Sequence, residues 1–144
     1  NVRYAVTVTE KGVDWASKNM LVLGIIVILG LLLHLTHFWS KMQLVEILGQ
    51  HHNDLGLAPT DGAALIKYTF SKWYNVVLYL VWFAALWFHL NHGVWSMFQT
   101  VGWANDTWLP RLKCVAKVVS GVIFLGFAVV AVTFFAKSLC CGCC

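Results

Sequence analysis

Four of the chain's six histidines form two His-x-x-His pairs inside long uncharged runs: His34 with His37, and His89 with His92. Ionisable side chains in such surroundings are costly and usually face a partner or a cofactor. Zinc hydrolysis would add a Glu as base, in the pattern His-Glu-x-x-His. A ferritin-like di-metal site would add Glu ligands. Neither run contains Asp or Glu. Haem asks only for an imidazole nitrogen on each side of the iron. No Cys-x-x-Cys-His occurs, so such a haem would be held non-covalently, as in b-type cytochromes. The plainer reading is that each imidazole hydrogen-bonds a Ser, a Thr or a backbone carbonyl of a neighbouring helix. Two pairs on two helices favour the cofactor.

The elements that carry these pairs are set by where charge is missing. The 144 residues are 60% hydrophobic and 11% charged, whereas a soluble domain is roughly a quarter charged. No Asp, Glu, Lys or Arg lies between Lys18 and Lys41, Lys72 and Asp106, or Lys117 and Lys137. Each gap is long enough to cross a hydrocarbon core of about 30 Å. We therefore expect an all-α transmembrane bundle forming one domain over 1–144, with spans at about 19–39, 73–101 and 115–136. Trp15, Trp39, Trp73, Trp103 and Trp108 fall near span ends, where indoles settle at the headgroups. The net charge of +4 comes mainly from span flanks, and no basic face suggests nucleic acid. The lipid bilayer is the expected surrounding.

Before the first span, Tyr4, Val6 and Val8 alternate briefly in a polar leader. Between the first two spans, Asp54-Leu55-Gly56, Pro59 and Asp61-Gly62 read as turns, and Gln43–Leu48 as a short amphipathic surface helix. Lys and Arg number six on the side of the N-terminus and the second connection, against four on the other side. That bias favours a cytoplasmic N-terminus and an outward C-terminus.

Depth separates the two pairs. The first two spans run in opposite directions, with His34 in the outer half of one and His89 toward the inner side of the other. At 1.5 Å per residue they differ by roughly 10 Å in depth. Axial ligands of one iron share a level, so His34 and His89 would serve different haems. Residues three apart differ by about 300° in azimuth and 4.5 Å in rise. One member of each pair can therefore aim at iron, while the other contacts a propionate, a quinone or the headgroups. The third span has no His, so the second ligand of each haem must come from elsewhere. The chain opens Asn1-Val2-Arg3, with no initiator Met, and is expected to continue a longer protein.

The run His89-Leu90-Asn91-His92-Gly93-Val94-Trp95-Ser96, followed by Gly102-Trp103, resembles the fourth helix of succinate dehydrogenase/fumarate reductase cytochrome b subunits. Leu31-Leu32-Leu33-His34-Leu35-Thr36-His37-Phe38-Trp39 resembles their third, and the likeness to the Bacteroidetes-type diheme subunit spans nearly the whole chain. The resemblance implies five membrane helices, of which these are the last three, and two haems b with one His from each of the first four helices. His34 would bind the distal haem, and His89 the haem proximal to the flavoprotein and iron–sulfur subunits. His37 and His92 are the alternative ligands, or contacts to haem or quinone. The implied role is a membrane anchor relaying electrons between menaquinone and the iron–sulfur subunit, in the bacterial inner membrane. The dicarboxylate chemistry belongs to the flavoprotein. Two departures stand out: the first two helices are absent, and Trp87 and Phe88 precede His89 where some relatives carry a proton-passing Glu. A cytochrome b subunit of a formate dehydrogenase or hydrogenase, and a haem-free helical adaptor, are the competing readings.

Other features have plainer readings. Cys140, Cys141, Cys143 and Cys144 crowd too closely to wrap one tetrahedral zinc, so the tail is expected to be incidental or lipid-contacting, and Cys114 a packing residue. His51 and His52, near Glu46 and Asp54, read as a solvated loop ahead of a surface metal site. Gly24, Gly30, Gly121 and Gly126 are expected to let helices approach; Gly30 would alternatively make room for a haem edge.

Overall fold

In the lipid phase every backbone N–H and C=O must be paired internally, so long apolar runs become helices even when rich in Val and Ile. The computed structural model describes residues 15–103, 105 and 107–141, and these are helical with no strand among them. A single turn, α1 (Trp15–Lys18), leads into α2 (Met20–His34), which continues as a π-helical turn over Leu35–Trp39. Two short helices follow, α3 (Gln43–Ile47) and α4 (Gly62–Phe70), and then α5 (Trp73–Thr100) and α6 (Leu109–Cys141). Three helical stretches, beginning at Met20, Trp73 and Leu109, are long and apolar enough to span a membrane, as the charge gaps predict. The alternation at Tyr4–Val8, and Cys143 and Cys144, lie outside the described residues.

α5 is the central helix, packed on both α2 and α6, while α4 lies against α5 and α6. The core beneath α4 gathers Phe70, Val76, Tyr79, Phe83 and Ala131, with Leu33, Phe38 and Trp82 against them. A second cluster, Ala16, Leu23 and Ala85, joins α1, α2 and α5 near the other end. Elsewhere Leu21, Val22, Ile25, Ile28 and Leu29 on α2, and Val118, Val122 and Leu125 on α6, face outward. Lipid covers such faces without penalty. Trp15, Trp39, Trp73, Trp103 and Trp108 are all exposed, placing indoles around both ends of the bundle.

Three readings are corrected. Asp61-Gly62 is not a turn: Asp61 caps α4, its Oδ1 accepting from Ala64 N at 3.0 Å. The sequence hides α4 because its buried set, Leu65, Thr69 and Phe70, is too short a pattern to outweigh the breakers before it. α6 starts six residues before the expected 115 and runs five beyond 136. Charge gaps mark membrane depth rather than helix ends, and Pro110 suits a first turn, where its missing N–H would be unpaired anyway. Cys114 is exposed rather than packed.

The glycines divide sharply. A Cβ on Gly30 would overlap the Trp82 ring, and Trp82 Nε1 donates to Val27 O at 3.1 Å. Gly30 is therefore the seat of an indole. Gly24 and Gly121 would meet only ordinary contacts, and Gly126 would meet nothing among the described residues, so within this chain it does not serve the expected close helix approach. On α6 the buried small residues are Ala116, Ser120 and Ala131. Gly30→Ala is expected to destabilise the chain by about 1–3 kcal/mol, the usual range for overpacking. Gly126→Ala is expected to be neutral. Thermal unfolding of both variants in detergent checks the contrast.

The connection between the first two spans is an ordered cap on one end of the bundle. Asn53, buried, accepts from Leu55 N and Leu57 N at 3.0 Å and donates to Lys41 O at 3.2 Å. Lys41 pairs with Asp54 at 2.9 Å. Gly49 and Gly56 turn the chain at φ of 67° and 73°, values other residues rarely adopt. Lys72, at the start of α5, donates to Tyr68 Oη at 3.3 Å. Hydrogen bonds to Tyr68 and Tyr74 hold its pKa above the ordinary lysine value.

Candidate haem-ligand site

The register between α2 and α5 fixes where each imidazole sits. His89 lies beside Gly24, whose Cβ position is 3.9 Å from His89 Cε1. His34 lies ten residues further along α2 and packs on α5 at Tyr79 and Trp82, with ring centroids 6.3 and 5.7 Å away. Seven to ten residues of helix thus separate the two histidines in level, about 10–15 Å. His92 lies a turn beyond His89 and is further still from His34. No inter-helix pair of histidines faces itself across a gap that one iron could fill, as the depth reasoning expects. Two imidazoles on one helix, three residues apart, cannot take opposite faces of a macrocycle.

At the α2 end the environment is aromatic. The His34 ring also lies 5.0 Å from Phe38, and its buried Nδ1 has no partner among the described residues. His37 differs: its Nδ1 is 3.3 Å from the hydroxyl of Tyr79, with the rings stacked at 5.9 Å. The π-helical turn that carries His37 is closed by Ser40 N on Leu35 O at 2.8 Å. The hydroxyls of Thr36 and Ser40 bond Leu33 O at 2.8 Å and Thr36 O at 2.6 Å, a back-bonding that loosens helices. π turns inside helices occur often at functional sites.

At the other end, His89 and His92 each bury an Nδ1 without a partner among the described residues. His89 turns toward α2, while His92 meets Trp95 edge-on at 4.9 Å. Trp87 Nε1 is likewise buried without a partner, close to Gly121 and stacked on Phe124 at 5.8 Å. Trp87 and Phe88 occupy this level, and among the described residues no carboxylate belongs to either α2 or α5.

An unpaired buried polar atom costs about 1–3 kcal/mol, so these imidazoles are a reservoir of unmet bonding. Neutral nitrogen donors without acids, in an apolar bundle, suit haem iron by donor type. The residues present therefore fit haem with one ligand per iron from this chain. Among the described residues no group of three or more His, Cys, Asp or Glu comes together. His51 and His52 are exposed, and Asp54 is engaged with Lys41 instead.

Sequence reasoning overlooks Tyr79 and Trp82. A signal for both is present: Tyr79, Trp82, Leu86 and His89 recur at helical spacing, marking the α5 face turned to α2. No family model, curated protein or solved structure matches the chain.

Proposed function

We propose that the chain is a membrane anchor cytochrome b subunit of a succinate dehydrogenase/fumarate reductase type complex. It relays electrons between menaquinone and an iron–sulfur subunit through two haems b. The observation that carries this reading is the pair of histidines whose buried nitrogens have no partner among the described residues, His34 and His89, held about 10–15 Å apart in level on neighbouring helices. The sequence resemblance supplies the family. Bound haem would provide a one-electron carrier at each level. The protein's own part is to hold the imidazoles, with Trp82 locking α2 to α5 through Val27 O and Gly30. It also keeps acids away from them and seals the α2 end with the loop pinned by Asn53. The second ligands come from helices outside this chain, and the flavoprotein and iron–sulfur subunits dock at the His89 end.

Affinity purification from native membranes through a tag on this chain tests the reading. The expected product carries a b-type spectrum, a flavoprotein and an iron–sulfur subunit, and transfers electrons from succinate to quinone. A molybdenum- or nickel-containing partner would instead indicate a formate dehydrogenase or hydrogenase. Absence of haem would leave a helical adaptor.

The same reading places the membrane as the bacterial inner membrane, with the α3–α4 cap outward. In a cysteine-free background, Thr60→Cys is expected to react with an impermeant maleimide in intact cells. Protection of Thr60→Cys together with labelling of Asn105→Cys would invert the orientation.

A further inference from the structure

We propose that Tyr79 fixes His37 in the tautomer protonated on Nε2, which makes His37 a hydrogen-bond donor and leaves His34 as the metal-binding imidazole of that helix. The second half rests on the haem reading above; the first does not.

Among the described residues the Tyr79 phenol has one hydrogen-bond partner, His37. Tyr79 is 1% exposed. Around its ring stand Phe38, Phe70, Phe83 and Trp82, at centroid distances of 6.2, 5.2, 5.8 and 5.7 Å, none of them a conventional acceptor, and His34, edge-on at 6.3 Å, whose Nδ1 makes no hydrogen bond to it. The hydrogen-bond partner of Tyr79 Oη is His37 Nδ1 at 3.3 Å. In a neutral imidazole one nitrogen carries hydrogen and the other a lone pair. If Nδ1 carried the hydrogen, it would donate to the phenol oxygen. The phenol's own proton would then be stranded in an aromatic cage, at a cost that strongly disfavours this arrangement. The doubly protonated ring strands it in the same way. With Tyr79 donating, Nδ1 accepts, both groups are satisfied, and the ring proton sits on Nε2.

Iron takes an imidazole through a nitrogen lone pair. In this tautomer the Nδ1 lone pair of His37 is committed to Tyr79, and Nε2 bears hydrogen. No lone pair remains. His34, one turn away, has no such bond, and its buried Nδ1 is unpartnered among the described residues. Tyr79 therefore acts as a positioning residue that decides between two histidines of identical chemistry. His37 keeps an Nε2–H with which to meet an acceptor.

The test uses the full chain, labelled with nitrogen-15 histidine, in native membranes reduced with dithionite so that any low-spin haem is diamagnetic. Solid-state NMR identifies His37 by the signals lost in His37→Gln. The expected wild-type ring has Nε2 protonated and Nδ1 hydrogen-bonded but bare. Tyr79→Phe, which keeps the ring and its packing, is expected to shift the Nδ1 signal and admit the other tautomer. A wild-type ring protonated on Nδ1, alone or together with Nε2, overturns the proposal, as does a spectrum indifferent to Tyr79→Phe. Haem content gives the second readout: His37→Gln is expected to keep all of it and His34→Gln to lose half. The reverse pattern overturns the assignment of His34. The expected tautomer in membranes that hold no haem at all would uphold the role of Tyr79 while removing the haem reading.

Discussion

Residues 1–144 expressed alone insert into a bilayer but show no stable bis-histidine haem spectrum: this is the largest effect expected from the geometry. Insertion needs only the three apolar helices, which lipid accepts on their outward faces. Haem needs an imidazole on each face of the iron at one level. His34 sits at Tyr79 and Trp82, and His89 sits at Gly24, about 10–15 Å apart along the bundle. His51 and His52 lie exposed in the connection, away from both. Lipid cannot replace an imidazole. Co-expression with two further His-bearing spans is expected to restore both haems. Absorption spectra of the chain with and without those spans decide the matter, and two low-spin haems in the chain alone would refute it.

The second large effect separates the members of the α5 pair. If the chain is the proposed cytochrome b subunit, His89→Ala in its complex is expected to remove one haem of two, whereas His92→Gln retains both. His89 faces α2, as its contact with Gly24 requires. His92 sits against Trp95 on its own helix and can contribute a polar contact without bonding iron. Haem extraction per chain measures both variants, and loss of a haem in His92→Gln with retention in His89→Ala would exchange the two roles.

Much of this architecture is legible in the amino-acid sequence, for reasons that differ by feature. The spans are legible because charge is expelled from lipid, so Lys18, Lys41, Lys72, Asp106, Lys117 and Lys137 delimit them unaided. The separation of His34 from His89 is legible because helical rise is constant and the two helices are antiparallel. α4 is not, since Asp61 serves equally in turns and as a cap, and nine residues give little periodicity. The true length of α6 is hidden because a helix does not stop where the lipid does. Tyr79 and Trp82 escape notice because an aromatic in an apolar run reads as bulk. Only the register against Gly30 and His37 reveals Trp82 as a clamp and Tyr79 as the hydrogen-bond partner of His37.

The central claim is that His34 and His89 serve different irons. Haem content of the intact complex tests it most directly, measured in His34→Ala, His89→Ala and the double variant. Each single variant is expected to retain half the haem and the double variant none. If both single variants lost the same haem, and the double variant still kept the other, the two histidines would share one iron and the separation in level would be contradicted.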